Sequence, residues 1–241
     1  MLVASILGGI MNGIVGMATV ALYPALLYVG VPPIIANVTI TVGLLFSDFS
    51  AVLSSRREFK RVVPETIKFS TLITAGAIVG AIVLLFSSSK SFKEITPVVI
   101  LLSGILMMIP KKDNTHKSIS KIVLIISAIA TLLVGVYVGY FGAGAGILMT
   151  AVLSISNDYE YAENNAVRNV SALCAHIVTV IIFIFTMKIE WLIVPLIAIG
   201  LFIGGYLGPI IVRYVPSKVM RYVVSIFAIV VALILGYQAF F

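Results

Sequence analysis

Apolar runs cover residues 1–29, 34–55, 63–86, 95–109, 122–153, 166–187, 191–214 and 219–240, and short polar stretches separate them. Most reach the ~20 residues that an α-helix needs to cross the ~30 Å hydrocarbon core of a bilayer. The separators are a turn at 31–33, a basic run with Arg56, Arg57, Lys60 and Arg61, the stretch 87–94, a hydrophilic segment at 111–121, an acidic loop at 156–163, and turns at 188–190 and 215–218. The pattern predicts an all-α polytopic integral membrane protein with about eight hydrophobic segments in two sets of four. Residues 1–110 form a first membrane repeat, 111–121 a cytoplasmic linker and 122–241 a second repeat. The first run lacks a basic leader and a small-residue cleavage site, so it is expected to be retained structure.

The division into halves rests on an internal repeat. Gly9, Gly13 and Gly16 recur, shifted by 126, as Gly135, Gly139 and Gly142, and the second copy continues with Gly144 and Gly146. Asn37 recurs as Asn169 at a shift of 132, Gly76 and Gly80 as Gly204 and Gly208 at 128, and Ser89-Lys90 as Ser217-Lys218. Glycine costs about 1 kcal/mol against alanine inside a helix, so each glycine-rich run marks either close helix contact or a deliberate break. Gly76/Gly80 and Gly204/Gly208 read as small-residue packing motifs.

Loop charge bears on the choice. If all eight segments span, the loop lysines and arginines divide nine to five across the membrane. If segments 1 and 5 are broken, re-entrant hairpins, the repeats become inverted and the division is eleven to three, which the positive-inside rule prefers. Length agrees, because residues 1–29 split near Gly13 to Gly16 into two pieces of a dozen or so residues, each roughly 18 Å long. Paired broken helices in inverted repeats are the usual sign of a secondary transporter. The amides that begin each second half-helix would favour an anion.

Composition excludes other classes. The chain has 241 residues, 61% of them hydrophobic and 10% charged, and a mean hydropathy of +1.20; soluble domains are closer to half apolar. The net charge of +7 resides mostly in loops, where it orients the protein, so no nucleic-acid partner is expected. One cysteine, Cys174, and two histidines, His116 and His176, supply neither a disulfide nor a metal site. No cofactor and no catalytic set are expected, since neither a His-Glu-x-x-His nor a Gly-x-Ser-x-Gly element occurs.

The spacing of Gly9, Gly13 and Gly16, with Pro24, Gly30, Pro32, Pro33 and then Asn37 and Thr39, resembles the TauE/SafE sulfite exporter family. The likeness runs nearly the whole chain, since the second glycine motif, Asn169 to Ser171 and Gly204/Gly208 fall where that family repeats them. After the first break, Met17, Ala18 and Thr19 stand where the family carries a fuller glycine run. The resemblance implies a multi-pass protein of the cell (cytoplasmic) membrane that moves sulfite or small organosulfonates.

Helical projection supplies candidate side chains. Asn37, Thr41, Leu44, Asp48 and Ser55 fall within about 40° of one another on segment 2, and Asn169, Leu173, His176 and Val180 form the matching face of segment 6. Asp48 and His176 therefore occupy related faces, and ionisable groups inside a membrane are functional candidates by default. Arg168 would hold the anion. Asn37, Thr39, Asn169 and Ser171 would donate to its oxygens, with Gly16, Gly142 and Gly144 at the breaks, and Asp48 or His176 would exchange a coupled proton. Duller readings stand beside these: Asp48 pairing with a surface basic residue, His176 bonded to a neighbouring carbonyl, Arg168 snorkelling to the interface. The sequence reading is a secondary carrier of a small oxyanion working by alternating access, with an anion channel or a membrane packing protein as the alternative. Its partners are the anion and the lipid bilayer, and the oligomeric state stays open.

Overall fold

The computed structural model describes residues 1–108, 121–157 and 159–240; the linker at 111–120 and His116 lie outside them. All regular structure in the described residues is helical. The helices are α1 (Leu2–Val15), α2 (Ala18–Tyr28), α3 (Pro33–Ser54), α4 (Arg56–Phe59), α5 (Val63–Leu85), α6 (Ser89–Met108), α7 (Lys121–Tyr140), α8 (Ala145–Ser156), α9 (Tyr161–Thr186), α10 (Val194–Tyr214) and α11 (Ser217–Phe240). Four of them, α3, α5, α9 and α10, are long and apolar enough to cross a membrane. Their outer faces expose large apolar side chains such as Ile67, Val79, Phe185 and Ile199, which suits lipid rather than water.

Both glycine-rich segments are broken. α1 stops at Gly16, whose φ of 72° is left-handed, and the Gly16 and Met17 amides reach back to the carbonyls of Asn12 and Met11. That is a Schellman-type stop, which glycine makes without a Cβ penalty. Segment 5 breaks between α7 and α8, with Gly142 and Gly144 at φ 71° and 76°.

The other glycines of each motif pack, so contact and break are both present in one motif. A Cβ on Gly9 would lie 2.9 Å from Gly204 Cα, and one on Gly13 would lie 2.8 Å from Gly208 Cα. Likewise Gly135 meets the Ile73 carbonyl and Gly139 the Ala77 carbonyl, while Gly76 and Gly80 meet α7 backbone. The order of these contacts makes α1 parallel to α10 and α7 parallel to α5. Each half thus lends its first helix to the other half. α3 packs on α10 and α9 on α5, so two helix trios form, α1–α3–α10 and α7–α9–α5.

Where the trios meet, α3 and α9 run in opposite directions: Thr39 early in α3 accepts the Glu190 amide beyond the end of α9, whereas Asp48 late in α3 meets His176 within α9. The region after α3 gathers charges from both halves. Arg213, in the last turn of α10, donates to Glu58 at 2.7 Å and to the Ser54 carbonyl, and Arg61 lies 3.8 Å from Glu163 at the start of α9.

Two boundaries differ from the sequence reading by five residues or more. α6 begins at Ser89 rather than 95, absorbing most of the polar stretch, and α9 begins at Tyr161 rather than 166. The cause of the second is a capping box in which Glu160 and Glu163 each accept the other's backbone N–H, a pairing that satisfies two orphan donors at once.

The Arg213 hydrogen bonds hold the Glu58 carboxyl below the usual carboxylate range. A depressed pKa adds stability that is present above the unfolded value, about 4.3, and is lost as pH falls through the folded value. The advantage of the wild type over Glu58→Gln, below about 1 kcal/mol for a solvent-screened pair, is expected to be full at about pH 6 and to close below about pH 4. Thermal melts in detergent across that range check it.

Candidate functional site

The end of α1 poses a problem of hydrogen bonding. The last carbonyls of any helix lack partners within it, and these lie inside an apolar bundle. α9 supplies the donors. Arg168 Nη1 donates to the Ile14 carbonyl at 2.9 Å, and Nη2 to those of Asn12 at 2.9 Å and Gly13 at 3.1 Å. Asn165 Nδ2 adds a bond to Gly13 and the Tyr161 hydroxyl one to Ile14. Because α9 starts at Tyr161, Arg168 lies two turns inside it and is only 3% exposed, which replaces the snorkelling reading with a buried clamp. A cation here also complements the negative end of the α1 dipole.

Beside this clamp is the acid–base pair. His176 Nδ1 lies 2.5 Å from Asp48 Oδ2, and Asp48 Oδ1 accepts from Asn12 Nδ2 at 2.7 Å. Asp48 is 2% exposed and His176 6%. The related faces seen in the sequence therefore face one another across α3 and α9. Asp48 takes no surface arginine, and His176 binds a carboxylate rather than a carbonyl.

Arg168, Asn12, Asp48 and His176 line one small cavity at the meeting point of the two breaks, about 40 Å³ in volume. At roughly 10–15 Å³ per water, that is space for about three waters or one small oxyanion. Ala18 and Thr19 at the start of α2, and Ala145 and Gly146 at the start of α8, form its other walls. Neither helix start has a side-chain cap. Gly16 and Gly146 are in backbone contact, a Cβ on Gly16 falling 2.7 Å from Gly146 Cα.

One donor is left over. Asn169 Oδ1 accepts from Arg168 Nη2 at 2.8 Å, which fixes the amide's orientation, and its Nδ2 is buried with no protein partner. An unpaired buried donor costs about 1–3 kcal/mol, and this one belongs to a residue of the cavity wall beside Arg168.

Among the residues singled out in the sequence, Arg168, Asn169, Ser171, Gly16, Gly142, Asp48 and His176 line this cavity. Ser171 there is hydrogen-bonded to Ser70 at 3.0 Å. The others lie off its wall. Gly144 is the left-handed N-cap of α8. Asn37 donates to the Tyr140 carbonyl at the end of α7, and Thr39 receives the Glu190 amide. Asn37, on α3 of the first half, thus does for α7 what the α9 side chains do for α1, but Ala36 stands where Arg168 does, so the charge is on one side only.

Sequence reading missed Asn12, Tyr161 and Asn165. Tyr161, Asn165 and Arg168 are spaced four and three apart, one face of a helix, and the Glu160/Glu163 capping pattern was the signal that the helix begins early enough to carry all three.

Comparison with known proteins bears on what such a site serves. Residues 1–235 match the family model described as sulfite exporter TauE/SafE. The chain is 24% identical over 233 residues, 95% of its length and 87% of the relative's, to the probable membrane transporter protein ORF9 of Sinorhizobium sp. No solved structure matches it. A broken-helix cavity holding a buried arginine, on a chain matched over residues 1–235 by the model of a membrane exporter family, places it among multi-pass membrane proteins: it belongs to the sulfite exporter TauE/SafE family.

Proposed function

We propose that the chain is a secondary carrier of a small oxyanion, sulfite or an organosulfonate, that moves the anion together with a proton by alternating access. The observation that carries the reading is the unpaired Asn169 amide beside Arg168, in a cavity bounded by two uncapped helix starts. Amide, guanidinium and helix-end donors together suit a compact group with several acceptor oxygens.

Charge balance supports proton linkage. With His176 neutral, Arg168 and Asp48 cancel; with a proton added to the Asp48–His176 pair, the cavity carries a net positive charge. Uncompensated buried charge is expensive. Anion and proton therefore favour each other's binding, and both leave most easily together.

Inverted repeats in the membrane are part of this reading. The antiparallel meeting of α3 with α9 supports them, as does the Arg213–Glu58 contact, which joins two groups that an all-spanning arrangement would put on opposite faces. The family name and the small cavity favour sulfite over larger sulfonates.

The test is sulfite flux into proteoliposomes of the purified chain, with and without a pH gradient. Saturable flux that an inward proton gradient accelerates several-fold is expected, and Asp48→Asn is expected to lose that acceleration. Non-saturating flux would convert the carrier to a pore, and gradient-indifferent flux in the wild type would remove the proton from the mechanism.

A further inference from the structure

Asn12 is four residues before the Gly16 break and touches both halves of the site. Its side-chain Nδ2 donates to Asp48 Oδ1 at 2.7 Å and to Ser47 Oγ at 3.0 Å. Its backbone carbonyl accepts from Arg168 Nη2 at 2.9 Å and from the Gly16 amide at 2.8 Å. It is 7% exposed. One residue in the last turn of α1 therefore holds the carboxylate of the proton pair and the cation of the anion clamp.

We propose that Asn12 is the positioning residue that links the two: it fixes Asp48 so that Oδ2 meets His176, and any displacement of the α1 end releases Asp48 and Arg168 in the same movement. The proposal rests on the carrier reading above for its consequence, but the proton-site part stands on the geometry alone. A hydrogen bond donated to a carboxylate favours its charged form. When the end of α1 moves away, Asp48 loses its donor, while Arg168 loses one of its anchors and is freed toward the anion. Proton uptake and anion capture then belong to one state of α1, and their release to the other. Both ligands sense a single two-state element, which is what coupling between sites requires.

The surroundings of Asp48 leave few competing groups. α9 presents His176 and Arg168, with the Tyr161 hydroxyl behind them on Ile14. The faces turned toward it from α2, α5, α7 and α8 carry Thr19, Ile73, Val138 and Met149, and α10 brings Gly205 against Ser47. None of these five ionises.

The experiment is an infrared pH titration of the purified chain in liposomes. It follows the protonated-carboxyl and imidazole bands, with Asp48→Asn to identify the carboxyl signal, alongside sulfite flux. Asn12→Ala is expected to raise the pair's midpoint by about one pH unit, a tenfold change in proton affinity. The isosteric Asn12→Asp keeps the packing and places a like charge beside Asp48, so its midpoint moves further up. Ser47→Ala, which removes the other partner of the same amide, leaves the midpoint in place. An unmoved midpoint in both Asn12 variants overturns the proposal whatever the flux does. A shifted midpoint with flux indifferent to pH upholds the proton-site assignment and instead defeats the proton-coupled carrier reading.

Discussion

Gly80→Ala is expected to prevent the chain from reaching its packed state. A Cβ at that position would lie 1.9 Å from the Val136 carbonyl oxygen and 2.8 Å from the Tyr140 amide nitrogen. Both are backbone atoms of α7, so no rotamer change relieves the clash. The helices would have to separate, and with them the Gly76–Leu132, Gly135–Ile73 and Gly139–Ala77 contacts that lie on the same seam. Overpacking costs about 1–3 kcal/mol when side chains can adjust; here the cost belongs at or above the upper end, a large share of the ~5–15 kcal/mol that holds a typical protein folded. Gly236→Ala is the control: the nearest atom is Pro97 Cβ at 3.8 Å, an ordinary contact, so this variant gains helix propensity and loses nothing. Thermal melts and the monodisperse fraction in detergent separate the two. A Gly80→Ala protein melting within a few degrees of the wild type would mean that α5 and α7 are not in backbone contact.

The same seam decides how much of the fold could be read beforehand. Hydrophobic periodicity located the long helices because burial in lipid leaves an unbroken apolar run, and the glycine spacing located both breaks. Which helix the glycines would touch was not legible. A glycine pair reports that some backbone comes close, without naming it, and here each pair reaches across to the other half of the chain. The site divides in the same manner. Asp48 and His176 were visible because ionisable groups are rare in apolar runs and a 100° step places them on matching faces. Asn12 was hidden because an asparagine among glycines looks like turn chemistry, and its role follows only from the α3 carboxylate standing opposite. Asn37 and Thr39 drew attention through the repeat, yet they bind backbone at helix ends. A match between halves identifies equivalent positions rather than functional ones, and Ala36 opposite Arg168 is where the equivalence ends.

This asymmetry bears on mechanism. A symmetric pair of broken helices would offer two equivalent donor sets facing each other, and an anion would have no reason to pair with a proton. With the guanidinium on α9 alone and the carboxylate on α3 alone, the cavity has a cation from one trio and an acid from the other. Relative movement of the trios changes both charges' partners at once. In the proton-linked carrier proposed above, the polar contacts across the trios, Asp48 with His176 and Arg168 with the end of α1, are where the free energy of anion and proton binding acts on the conformation.

Arg168→Ala is expected to have the largest functional effect of any single substitution. It removes four hydrogen bonds, to Ile14, Asn12, Gly13 and Asn169, and leaves Asp48 and any bound anion without a counter-charge. Taking one member from a buried charged network costs about 3–5 kcal/mol, although Asn165 and Tyr161 still cover Gly13 and Ile14 and keep the loss toward the lower end. The apparent affinity for sulfite should fall more than about tenfold, as for the loss of a charge-assisted contact of ~1.5–3 kcal/mol. Arg168→Lys separates charge from geometry: an ammonium keeps the positive charge but lacks the planar fork that spans three carbonyls and the Asn169 amide. It should recover sulfite-induced thermal stabilisation in part while leaving the protein less stable than the wild type. Lys188→Ala sets the baseline, since Lys188 is 75% exposed and only 3.8 Å from the half-exposed Glu190 carboxylate, an arrangement worth little. Sulfite-dependent melting of the three variants gives the comparison directly. If Arg168→Ala and Lys188→Ala weaken sulfite binding equally, Arg168 is a helix clamp alone, and the anion must be held by the Asn169 amide and the two helix starts without it.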